Sequence, residues 1–214
     1  MRPGALLFDL DGTLVDSLAD IGASTNHVRA AFGLPPAGER QLREFVGDGV
    51  ISLLERALAG AGPFESIRQA AWELYARHHR DQCTRAVRPY PGVVECLGRW
   101  QADGRPMAVV TNKPARFAEP ILAHLGLDRF LEVVVCGDSL GERKPSAAPL
   151  HAALAGLRAP AAGAMMVGDG VQDLRAARAA GVRSAAVLFG FQRPEILRAE
   201  GADEFWVAFG EPEA

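Results

Sequence analysis

From residue 92 onward, short apolar runs recur at intervals that leave room for one helix each. Met107-Ala108-Val109-Val110 follows a helix-patterned stretch at 92–102, and Glu132-Val133-Val134-Val135 follows another at 114–125. Ala164-Met165-Met166-Val167 comes after a helix at 146–157, and Ser184-Ala185-Ala186-Val187-Leu188 after one at 171–180, with a last short strand over 203–207 closing the chain. Each run is continuously apolar, so both faces of the strand must be covered. Strands that alternate with helices in this way predict an α/β fold, a Rossmann-like parallel sheet with helices on both sides. One further apolar run, Ala5-Leu6-Leu7-Phe8, stands far upstream. A lone strand is not stable, so it must join the same sheet.

Residues 16 to about 84 carry no strand pattern and read as helices over 16–32, 39–45, 49–59 and 64–84. The breaks fall at Gly33-Leu34-Pro35-Pro36, Val46-Gly47-Asp48-Gly49 and Gly60-Ala61-Gly62-Pro63, all rich in helix-interrupting residues. An all-helical domain over 16–85 therefore interrupts the α/β core, which is assembled from 1–15 and 86–214. The chain crosses between them near Asp16 and again near Val87-Arg88-Pro89-Tyr90-Pro91-Gly92, where two prolines stiffen the return.

At 214 residues and 49% hydrophobic content the chain can bury a sizeable core. Its net charge of −3 is spread among interspersed acids and bases, which gives no basic face for nucleic acid and no polybasic block for an anionic membrane. The expected partner is a small molecule, the expected assembly a monomer or homodimer, and the default location cytoplasmic, since no signal sequence or apolar span of about 18 residues is present. Cys83, Cys96 and Cys136 show no metal-binding or disulfide spacing and read as buried thiols. His78-His79 could suggest a metal pair, but adjacent helical residues point about 100° apart, and the expectation is a solvated pair.

Chemistry gathers at the strand ends. Asp9-Leu10-Asp11-Gly12-Thr13 follows directly on the first strand, and residues i and i+2 of a strand share a face, so the two carboxylates are expected to converge. Asp and Gly are also ordinary turn residues. Thr111-Asn112-Lys113 follows the strand ending at Val110 and offers a hydroxyl and backbone N–H groups at a helix start, suited to phosphate oxygens or simply an N-cap. Lys144-Pro145 lies beyond the next strand, and Gly168-Asp169-Gly170-Val171-Gln172-Asp173 beyond the one after. Asp173 either supports Asp169 from one helical turn away or is a first-turn acid favoured by the helix dipole. Of 23 Lys plus Arg, only Lys113 and Lys144 are lysine. In a chain so biased to Arg, Lys is expected where a compact ammonium is needed. Carboxylates for a hard cation, donors for phosphate oxygens and one ammonium together suit phosphoryl chemistry, with Mg²⁺ offsetting the repulsion between carboxylate and phosphate.

In this order, Asp9 to Ser17, Thr111-Asn112, Lys144-Pro145 and Gly168-Asp169…Asp173 resemble the four motifs of the haloacid dehalogenase superfamily. Among members with a helical cap after the first motif, the chain is similar to the phosphoglycolate phosphatases, through Phe32-Gly33-Leu34-Pro35-Pro36, Val46-Gly47-Asp48-Gly49-Val50, Leu54-Glu55-Arg56-Ala57-Leu58 and Gly190-Phe191. The resemblance implies a Mg²⁺-dependent phosphatase in which Asp9 is nucleophile and metal ligand. It implies that Asp11 is the proton donor and acceptor, with its backbone carbonyl on the metal. Thr111, Asn112 and Lys144 would hold the phosphoryl group, and Asp169 would complete the metal site with support from Asp173. Two departures stand out: the third motif reads Lys144-Pro145-Ser146-Ala147 with Pro149 displaced, and Gly170 stands where relatives often carry Ser.

The helical domain should choose the substrate, because closing it excludes water from the reaction. Gly47-Asp48-Gly49 opens a helix whose N–H groups suit a small carboxylate, with Arg43 or Arg56 to pair with it, although an inter-helix turn with surface arginines has the same pattern. The expected substrate is a compact anion such as 2-phosphoglycolate. A phosphosugar mutase and a pyrophosphatase share the core motifs, and a catalytically silent phosphate-binding module is the non-enzymatic alternative. A haloalkanoate dehalogenase would not need Asp11. A phosphonate hydrolase using a cap lysine is disfavoured because residues 16–85 contain no lysine.

Overall fold

The computed structural model describes residues 4–213. Strand β1 (Leu6–Phe8) is followed by a tight turn and a short strand, β2 (Val15–Asp16). Four helices come next: α1 (Leu18–Ala31), α2 (Glu39–Phe45), α3 (Val50–Ala57) and α4 (Phe64–Gln82). The chain returns through β3 (Arg88–Pro89), which pairs antiparallel with β2. Alternation then begins with α5 (Val93–Ala102), β4 (Met107–Val110), α6 (Ala115–His124), β5 (Val133–Val135) and α7 (Ala148–Gly156). It continues through β6 (Met165–Gly168), α8 (Val171–Ala180), β7 (Arg183–Val187), α9 (Pro194–Glu200), β8 (Glu204–Ala208) and β9 (Glu211–Pro212).

The main sheet has the order β5-β4-β1-β6-β7-β8-β9 and is parallel except for β9, which runs antiparallel to β8. Alternate residues of β1 supply both layers of the core, as the pleat requires. Leu6 and Phe8 pack among Val93 and Leu97 of α5 and Ile121 of α6. Leu7 faces the opposite layer, with Leu150 and Leu154 of α7 and Ala176 and Ala177 of α8. A third apolar cluster unites α1 to α4 through Leu18, Val28, Leu54 and Tyr75, and takes in Phe117 of α6 and Phe191 from the core. The two passages between cap and core are tied by Asp20, which is buried and accepts the backbone N–H of Ala86 (3.0 Å) and Val87 (2.9 Å) and the Gln82 side-chain amide (2.8 Å).

Four elements escape the sequence pattern. Helix α9 is seven residues long with only Leu197 buried, so it has no apolar stripe to detect. Strand β9 follows the one expected to close the chain, and β2 and β3 contain two residues each, one of them a proline. Backbone pairing, not hydrophobic periodicity, makes these three.

His78-His79 requires correction. His79 is 1% exposed, packed against Tyr75 and Phe117, with Nδ1 2.9 Å from Ser24 Oγ, which also lies 3.1 Å from His78 Nδ1. The 100° between adjacent helical residues turns one imidazole into the α1–α4 contact and leaves the other half-buried. Burial, then the Lys113 and His78 charges, lowers the His79 pKa to about 2. Cys83, Cys96 and Cys136 are free and buried. Among the described residues, no helix is long and apolar enough to cross a membrane.

Candidate active site

Strand β1 lies between β4 and β6, where the winding of the sheet reverses direction, and crevices for ligands open at the carboxyl ends of strands at such a point. The register Phe8↔Val109 and Phe8↔Val167 brings Asp9, Thr111 and Asp169 to one edge. Asp9 donates its backbone N–H to Val167 O (2.9 Å), and Thr111 donates its own to Val135 O (2.9 Å), so both extend the sheet by one step.

Lys144 is the hub of this edge. Its Nζ lies 2.9 Å from Asp9 Oδ1 and 2.6 Å from Asp173 Oδ1, and it donates to Val110 O at 2.6 Å. Burial alone would lower its pKa, but Asp173 and Asp9 outweigh it and the ammonium is held more firmly than usual. Asp169 accepts from Thr13 Oγ1 (3.1 Å) and Phe191 N–H (2.7 Å), and Asp173 from Gly170 N–H (2.9 Å). Burial, then repulsion from Asp9 and Asp173, pushes Asp169 well above the usual carboxylate range. Burial raises Asp173 too, even with Lys144 against it. Asp9, Asp169 and Asp173 each present an oxygen within 4.8 Å of the others. Three buried carboxylates facing one ammonium leave negative charge uncompensated, and an all-oxygen donor set of this kind fits a hard divalent cation.

Two glycines permit this packing. Gly12 has φ +85° and lies against the Asp169 carboxylate, while Gly190 lies against Asp169 Cβ and the Gly12 carbonyl. A Cβ at either would overlap those atoms. Gly170 leaves the space into which the Gln172 amide folds. The displaced Pro149 sits in the first turn of α7, where a proline is tolerated because no N–H is needed.

Asp11 stands apart from the trio. The strand ends at Phe8, so the pleat no longer dictates its direction, and both Asp9 and Asp11 nevertheless line one cavity of about 60 Å³. Lys113 Nζ donates to both Asp11 oxygens at 3.0 Å, and Ser17 Oγ donates to Oδ1. Lys113 is a site residue to which motif spacing assigned no role; the scarcity of lysine was the signal, since both lysines of the chain are buried here. Thr111 Oγ1 accepts from Lys113 N–H (3.1 Å). The Asn112 side chain is committed to backbone, donating to Gly47 O (3.1 Å) and Lys144 O (3.0 Å) and accepting from Lys144 N–H (3.0 Å). It therefore links the third-motif loop to the cap.

Of the cap residues singled out by sequence, Gly47, Gly49 and Arg43 line the cavity. Asp48 and Arg56 pair with each other outside it, and Arg56 also donates to Phe45 O (3.1 Å). Arg43 donates to Glu39 Oε1 and to Gly190 O (3.0 Å). Tyr75 of α4 also faces the cavity and carried no sequence signal beyond an apolar helix position.

Residues 6–187 match the family model of the haloacid dehalogenase-like hydrolases. Phosphoglycolate phosphatase 1 of Pseudomonas aeruginosa is 39% identical over 193 residues, covering 88% of this chain and 71% of the relative. The N-acetylmuramic acid 6-phosphate phosphatase of the same organism is 38% identical over 198 residues, covering 91% and 86%. Among solved structures, a predicted phosphoglycolate phosphatase from Haemophilus somnus 129PT superposes with a TM-score of 0.90 at 29% identity, covering 98% of this chain and 96% of that one. The chain thus belongs to the haloacid dehalogenase-like hydrolase family, and within it to the phosphatases.

Proposed function

We propose that the protein is a Mg²⁺-dependent phosphomonoesterase that works through an aspartyl-phosphate on Asp9 and takes 2-phosphoglycolate as substrate. The observation that carries this reading is the separation of two acids within one small cavity: Asp9 sits in the buried carboxylate trio, and Asp11 is held outside it by Lys113. Asp9 Oδ attacks phosphorus in line as the ester oxygen departs, and Asp11 delivers the proton to that oxygen. A water then attacks the phosphoenzyme while Asp11 takes its proton, releasing inorganic phosphate and restoring Asp9. Thr111, the Asn112 segment and Lys144 hold the phosphoryl oxygens. Asp9 and Asp169, with the Asp11 carbonyl and with Asp173 in support, would hold Mg²⁺, which supplies charge neutralisation at the phosphoryl group.

Relatives at 39% and 38% identity act on a two-carbon acid phosphate and on a sugar phosphate by name, so identity alone does not choose between them. The small cavity, about 60 Å³, favours the more compact of the two. The test is a phosphate-release screen with 2-phosphoglycolate, N-acetylmuramic acid 6-phosphate, other sugar phosphates, nucleotides and pyrophosphate. The expected result is the highest kcat/KM on 2-phosphoglycolate, lost when Mg²⁺ is chelated. A higher kcat/KM on a sugar phosphate, or isomer formation in place of phosphate release, overturns the reading.

A further inference from the structure

We propose that the Tyr75 hydroxyl recognises the non-phosphoryl end of the substrate, donating a hydrogen bond to a carboxylate oxygen on the carbon next to the ester carbon. The inference rests on the substrate reading above and deepens it. Tyr75 is 1% exposed and lines the catalytic cavity, yet its hydroxyl makes no hydrogen bond to any described residue. His79 Nε2 and, its ion pair with Lys144 aside, Asp173 Oδ1 are the buried side-chain atoms without a hydrogen-bond partner among the described residues, so the Tyr75 hydroxyl is not sealed off but opens onto the cavity, where it is free to meet what enters. The other cap side chains that form the roof are Ile21, Val46, Val50 and Leu53, which are apolar, and Arg43, whose nitrogens are engaged by Glu39 and the Gly190 carbonyl. Tyr75 is therefore the one cap side chain at the cavity with a donor and no hydrogen bond to the protein, among the described residues.

Position and protonation agree with that role. The ring is wedged against His79, centroids 4.9 Å apart, and against the edge of Phe117, centroids 6.1 Å apart, so the hydroxyl is held in place before substrate arrives. Burial, and after it the charge of Asp11, raises the Tyr75 pKa well above its ordinary value, which keeps the O–H a donor.

The test compares wild type and Tyr75→Phe on 2-phosphoglycolate and on ethyl phosphate, which has the same two-carbon skeleton without the carboxylate. A hydrogen bond to a charged acceptor corresponds to about a 10- to 100-fold loss of kcat/KM on 2-phosphoglycolate, carried mainly by KM, with the ethyl phosphate rate unchanged. Equal loss on both substrates, in a variant whose thermal melting matches wild type, overturns the inference, as does no loss on 2-phosphoglycolate. If wild type itself does not prefer 2-phosphoglycolate, the substrate reading falls and takes this one with it. If wild type prefers it and Tyr75→Phe keeps the full preference, only the role of Tyr75 falls.

Discussion

Asp9 and Asp11 lie two positions apart, and each is reached by a different lysine. Lys144 joins Asp9 to Asp173 within the buried trio, while Lys113 holds Asp11 at its edge, where 12% of the side chain stays accessible. A nucleophile needs fixed aim, and a proton carrier needs contact with both leaving group and water, so this difference in surroundings suits the proposed division of labour. Asp9→Asn is expected to abolish phosphate release, because the amide cannot form the phosphoenzyme. Asp11→Asn is expected to lower kcat by about 10²- to 10⁴-fold, the usual size of a general acid–base contribution, measured as steady-state phosphate release. Asp9, Asp11 and Asp169 were legible because they follow an apolar run, and Lys144 because it is one of two lysines in an arginine-rich chain. The pairing of Lys113 with Asp11 spans 102 residues, and nothing local in either segment announces it.

At the scale of elements, α4 carries more than a cap wall. One of its faces presents Tyr75 and His79 to α1 and α6, and His79 is kept neutral there by burial and by Lys113. Its folded pKa of about 2 lies below the ordinary histidine value of 6.5, so between these limits the unfolded chain binds a proton that the folded one refuses. Stability is thus intact above about pH 6.5 and falls below it by about 1.4 kcal/mol per pH unit from this group. Wild type is expected to lose about 2 kcal/mol more than His79→Gln between pH 6.5 and pH 5, read by urea unfolding at both pH values. Long elements such as α1, α4 and α8 were readable from their apolar pattern. The β2–β3 ribbon was not, because it exists only where two passages of the chain run side by side.

Across the whole molecule, cap and core share apolar packing as well as a cavity. Phe117 comes from the core helix α6 but is 1% exposed within the cap cluster, edge-on to Trp72, Tyr75 and His79. Phe117→Ala is expected to cost about 3–5 kcal/mol in denaturant unfolding, the usual loss for a buried aromatic, and to loosen the wall that orients Tyr75. By itself the sequence determined the α/β core, the helical domain within it and the acids at the strand ends. These follow from short-range rules: side-chain period, helix-breaking residues and the direction in which a strand delivers its last residue. Only the tertiary structure decided which lysine meets which carboxylate, that Arg56 is turned away with Asp48 while Tyr75 faces inward, and how small the shared cavity is. Those outcomes depend on how elements far apart in the chain pack and exclude water, and no local pattern encodes that.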